Sequence, residues 1–136
     1  MKTLARSMTL VAALGGGAML HADAPTPRAL SVSEMSTKAA TLRVQIGEDS
    51  QKVLAFKEQA HKLKDVIKLN CVNDKQIQVK AEMNIADMAN DVLQGALQKN
   101  SDDRQLAYTQ LTSAGDAIRR LREEAAACIG EPELFK

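Results

Sequence analysis

The chain has no tryptophan, one tyrosine (Tyr108) and two phenylalanines (Phe56 and Phe135). Aromatic side chains bury the most area each, so their scarcity argues against a broad globular core. It also removes the stacking platforms on which single-stranded nucleic acid binds, and no specific nucleic acid partner is expected. Glycine and proline are missing between Gly47 and Gly95, which leaves a long stretch without the usual helix breakers. No apolar run reaches the ~20 residues of a membrane-spanning helix. The longest, Met8 to Leu20, is interrupted by Gly15-Gly16-Gly17. Charge of one sign is not in surplus either: 18 Lys and Arg stand against 17 Asp and Glu.

What the N-terminus does contain is ordered. Lys2 and Arg6 precede the apolar run, and the small-residue stretch Ala22-Asp23-Ala24 follows it. That is the charged, apolar and cleavage-site order of a secretory signal peptide. Cleavage after Ala24 fits the Ala-x-Ala pattern, but Pro25 would follow the cut, so cleavage after Ala22 is its rival. The expected organisation is a signal peptide over 1–24, a flexible linker over 25–32, a helical domain over 33–130 and a short tail over 131–136. The expected location is periplasmic or secreted.

Export changes the meaning of Cys71 and Cys128, the only two cysteines. Disulfides persist in oxidising compartments, and two cysteines in a small secreted chain are most simply one bridge. Free buried thiols and an intermolecular bridge are the alternatives. A redox catalyst would need a Cys-x-x-Cys pair and a structural zinc site four ligands, and neither pattern is present.

The remaining composition, rich in Ala, Leu, Glu, Gln and Lys without strand-like alternation, favours helix. Ala107, Leu111, Ala114, Ile118, Leu121, Ala125 and Cys128 follow steps of four and three, a seam on one helix face. Upstream, Cys71, Asp74, Gln78, Ala81, Ile85, Met88 and Val92 follow a matching series. Folding the chain at the midpoint of the two cysteines, between Lys99 and Asn100 at the start of the turn candidate Asn100-Ser101-Asp102-Asp103, sets Val92 against Ala107, Met88 against Leu111, Ile85 against Ala114, Ala81 against Ile118 and Cys71 against Cys128. Large faces small in three of these pairs, as interlocking helices require.

In the N-terminal half, Met35, Ala39, Leu42 and Ile46 share a phase with Val53, Phe56, Ala60, Leu63 and Ile67. Three chain paths fit this pattern. The helix breaks at Gly47, with Asp49 or Ser50 capping a new one; it runs on unbroken, leaving an apolar stripe that drives dimerisation; or it breaks at Asn70-Cys71-Val72-Asn73-Asp74. The expected fold is all-α: an elongated antiparallel hairpin or three-helix bundle with coiled-coil-like seams and one Cys71–Cys128 disulfide.

Few residues point to chemistry. Glu58 and His61 have the Glu-x-x-His spacing of a carboxylate metal bundle, with Asp65 a turn further, but His61 is the only histidine after position 21. No metal, cofactor or catalytic residue is expected, and an exposed helix surface is the plainer account of that trio. Met83 and Met88 could bind a soft metal, but on an apolar helix face they read as core. Arg119, Arg120 and Arg122 are followed at once by Glu123 and Glu124. Lys57, Lys64, Lys68 and Lys75 recur at steps of seven, four and seven, a basic ridge that could contact an anionic envelope surface weakly. A solvated helix face accounts for the same spacing.

The segment Val66-Ile67-Lys68-Leu69-Asn70-Cys71-Val72-Asn73-Asp74-Lys75, then Lys80 and Met83-Asn84-Ile85, and finally Glu123-Glu124-Ala125-Ala126-Ala127-Cys128-Ile129-Gly130-Glu131, resembles a family of short exported helical proteins from myxobacteria. The resemblance covers about Val66 to Glu131 and is specific around the two cysteines. It implies an exported two-cysteine helical protein and no activity. Members of that family continue with a longer tail, whereas this chain stops at Phe135-Lys136. The functional expectation is a non-enzymatic interaction or structural module that associates with an unknown protein or with itself. A peripheral binder of anionic surfaces through the lysine ridge is the alternative.

Overall fold

The computed structural model describes residues 29–130; the expected signal peptide, the first half of the linker and the tail lie outside them. Three helices, α1 (Val32–Lys62), α2 (Val66–Lys99) and α3 (Asp103–Ile129), pack as a bundle in which every helix touches the other two. Two tight turns connect them, so α1 and α3 run parallel and α2 runs against both.

Each boundary has a local cause. Ser31 opens α1 with a capping box: its hydroxyl accepts from the Glu34 N–H, and the Glu34 carboxylate accepts from the Ser31 N–H. Leu30, within the segment expected to be linker, packs against the core. α1 ends at Leu63 and Lys64, the latter with φ +53°. The Asp65 carboxylate then starts α2 by accepting from the Ile67 and Lys68 N–H groups. α2 ends on Asn100 in the left-handed region, the expected turn, and α3 ends on Gly130 at φ +82°.

The first break is therefore at Leu63-Lys64-Asp65, at neither expected position. Gly47 stays helical because Ile46 and Val53 are buried on either side of it. Burying those two side chains outweighs the ~1 kcal/mol that glycine costs a helix interior. Asn70 to Asp74 also stay helical, as they form the first turns of a capped α2.

The core is narrow and periodic. α1 buries Ala39, Ile46, Val53 and Ala60, and α2 buries Val72, Val79, Ala86 and Leu93, both at strict seven-residue steps. A heptad period keeps a seam facing its neighbours only when helices wrap around one another, as in coiled coils. α3 buries the expected seam from Ala107 to Ala125, with Cys128 half-buried at its end. The α2 seam differs from expectation: Asp74, Gln78, Ala81, Ile85, Met88 and Val92 are all exposed. The buried line lies one residue on, which is a rotation of about 100°. A third helix causes the shift. In a two-helix hairpin the line of closest approach would be the core, but with α1 seated against both partners the enclosed line of α2 turns toward α1.

Cys71 and Cys128 form the disulfide between α2 and α3, with Cα atoms 5.8 Å apart. Gly115 permits close approach of α1: a Cβ there would stand 2.7 Å from Leu42 Cδ1.

Candidate interaction surfaces

Three regions have unusual chemistry. The first is the face of α2 that the hairpin alignment assigned to the core. Ile77, Ala81, Ile85, Met88 and Val92 share one helix face, and its four large members are 44% to 67% exposed. The stripe spans about 22 Å of helix. Its middle forms one wall of a groove of about 300 Å³ whose other wall is Gln110, Ser113 and Ala114 of α3. Exposed apolar residues scattered singly are ordinary, but a contiguous line beside a groove marks a surface that another apolar body can cover. Met83 packs against the core whereas Met88 lies on this stripe.

The second is a cleft of about 320 Å³ between α1 and α3, over Leu42, Ile46 and Gly115. Arg122 is buried there, and its Nη1 donates to Asp49 Oδ1 at 3.1 Å. Asp49, expected to be a helix cap if the chain broke at Gly47, instead has its side chain 14% exposed against the 7% of Arg122. Arg119 pairs with Asp116 on the rim, where Glu48 and Lys52 also carry opposite signs. The cleft thus has matched charges and no surplus with which to hold an ionic ligand. Its ion pair locks the register of α1 against α3, since shifting either helix would strand a buried guanidinium.

The third is the end of the bundle that carries the α1–α2 turn. Of the four ridge lysines, only Lys64 lies in the turn and is exposed. Lys57 donates to Gln76 Oε1 at 2.9 Å, joining α1 to α2. Lys68 donates to the Ile129 carbonyl at 3.1 Å, at the negative end of the α3 dipole. Lys75 pairs with Glu124 of α3. The spacing of seven, four and seven expects one continuous helix, but the turn separates Lys57 from Lys68 and Lys75. Three of these side chains are tethers between helices.

Glu58 and His61 are exposed on α1, while Asp65 is committed to capping α2. Among the described residues, no group of three or more His, Cys, Asp or Glu is placed to hold a metal ion. No helix there is long and apolar enough to cross a membrane. Ala81, Ile85, Met88 and Val92 of the stripe were legible in the sequence as part of a seam; Ile77 and the outward orientation were not. No family model, curated protein or solved structure matches the chain.

Proposed function

We propose that this chain is an exported, non-enzymatic interaction module that self-associates through the outer stripe of α2. The exposed line Ile77, Ile85, Met88 and Val92 carries the reading, because covering it removes contiguous apolar surface from water. A second copy is the occupant that fits it best. When α2 is laid antiparallel on itself about the Ala86-Asp87 midpoint, Ile85 meets Met88 and Ala81 meets Val92, large against small at one of the two pairings. The same two-fold places Asp74 at one end opposite Lys99 at the other, both exposed on the stripe's face. An isologous contact requires this self-complementarity, and the end charges disfavour the parallel arrangement.

Light scattering on the exported protein across concentration tests the reading. A dimer is expected, and Ile85→Asp or Met88→Asp should return it to monomer with unchanged helicity, since both side chains face solvent within one copy. Asp74→Lys should weaken the dimer, and Asp74→Lys combined with Lys99→Asp should restore it. A strict monomer at high micromolar concentration, or a dimer indifferent to these substitutions, overturns it.

A further inference from the structure

The α1–α2 turn is chemically unlike the rest of the surface. Leu63, Val66 and Ile67 are 56%, 67% and 84% exposed, three large aliphatic side chains within five residues. They lie past the end of α3, because Cys71 is bonded to Cys128 and α3 closes at Ile129 while the turn precedes Cys71 by several residues. Exposed Lys62 and Lys64 flank them. Among the described residues two acids lie near them: Asp65, whose carboxylate faces the N-terminal N–H groups of α2, and Glu58, a turn back along α1.

Lys64 adds an independent observation. Among the described residues, three positions adopt positive φ: Lys64, Asn100 and Gly130. Asn and Gly are the residues that tolerate this region, whereas a lysine there meets the steric cost of its Cβ. A strained residue that keeps a charge at the projecting end points to a role for that charge.

We propose that this turn is a membrane-contact tip, inserting Leu63, Val66 and Ile67 into the headgroup boundary of an anionic lipid bilayer while Lys62 and Lys64 pair with lipid phosphates. The long lysine stems allow the ammonium groups to stay at headgroup level while the aliphatic residues go deeper. Anionic lipid is the occupant that satisfies both parts of the patch: a polyanion such as nucleic acid would pair with the lysines but leave the aliphatic residues wet. The tip is separate from the α2 stripe, so either contact can exist without the other.

The test uses the exported protein, tail included, with its N-terminus read by mass spectrometry. Phosphatidylglycerol vesicles should bind it and phosphatidylcholine vesicles should not, with binding that falls as salt rises. Because the chain has no tryptophan, Ile67→Trp supplies a single reporter. Its emission should shift to the blue with acidic vesicles and be quenched by brominated lipid, while Ser101→Trp at the opposite end should show neither effect. Lys62→Gln with Lys64→Gln should weaken partitioning roughly thirty-fold. Leu63→Ser with Ile67→Ser should weaken it at least tenfold. Circular dichroism and melting of each variant report that the bundle persists, as these side chains contribute little to its core. Lack of binding to acidic vesicles overturns the proposal. So does binding that these substitutions leave unchanged, or a preference for heparin or nucleic acid with no insertion of Trp at position 67.

Discussion

The two ends of the bundle are held together by different forces. At the end with the α2–α3 turn, Met35, Leu93 and Leu111 are fully buried, and the turn itself, Asn100-Ser101-Asp102-Asp103, is wholly polar. At the other end the buried residues are mostly small, Ala60, Val72 and Ala125 with Ile129 the one large side chain among them, and Leu63, Val66 and Ile67 of the turn are exposed. Tethers supplement packing there: the Cys71–Cys128 bond, Lys68 on the Ile129 carbonyl, Lys75 with Glu124 and Lys57 with Gln76. An end closed by a bond relies less on large side chains inside, and the apolar residues of its turn are then available to face outward.

The sharpest way to break this contrast is to remove the bond. Cys71→Ser with Cys128→Ser should cost about 4 kcal/mol, the chain-entropy value for closing a loop of this length. Urea unfolding measures the loss, and hydrogen exchange should accelerate most around the α1–α2 turn and the last turns of α3. Equal acceleration at both ends would mean that the bond stabilises the bundle without sustaining one end in particular. Next in size, Leu93→Ala opens a cavity at the packed end and should cost about 3 kcal/mol. Reducing the disulfide in that variant should add nearly its full separate cost, because the sites are far apart along the bundle.

A smaller change has the opposite sign. Lys64→Gly removes the Cβ penalty at φ +53° and should stabilise the protein by about 0.5 to 1 kcal/mol. Thermal melting should rise by a few degrees while binding to acidic vesicles falls. A gain in stability with no loss of binding would separate the strained lysine from the membrane contact. The smallest effect lies at the packed end, where the Ser31 hydroxyl and backbone N–H hold the Glu34 carboxyl below its usual range. A depressed folded-state value means that this contribution is present above the ordinary carboxylate range and lost as pH falls through the folded value. A melting series through acid should show a slight loss that Glu34→Gln lacks.

How much of this the chain announces varies by helix. The α3 seam was readable because Arg119, Arg120, Glu123 and Glu124 leave only one apolar line on that helix. α1 was readable in phase but not in extent: Gly47 looks like a break, and the heptad burial of Ile46 and Val53 outweighs it. The α1–α2 turn was missed although Asp65 has the side chain of an N-cap, because Leu63 and Ile67 continue the apolar phase across it. Those same two residues are exposed at the tip, so apolar periodicity misled where the apolar residues face water. The tethering lysines were visible as a spacing, but their acceptors on α2 and α3 are distant in sequence.

Residue order alone determined that the described chain is helical, that Asn100 to Asp103 turn it, and that Cys71 can reach Cys128. These depend on local propensity, turn chemistry and one spacing. The tertiary structure decided which face of α2 is inside. α2 carries two apolar lines about 150° apart, Val72-Val79-Ala86-Leu93 and Ile77-Ala81-Ile85-Met88-Val92. Propensity does not distinguish them, because both satisfy a helical period. Only the position of α1, which encloses one line and leaves the other beside Gln110 and Ser113, makes the first a core and the second a surface.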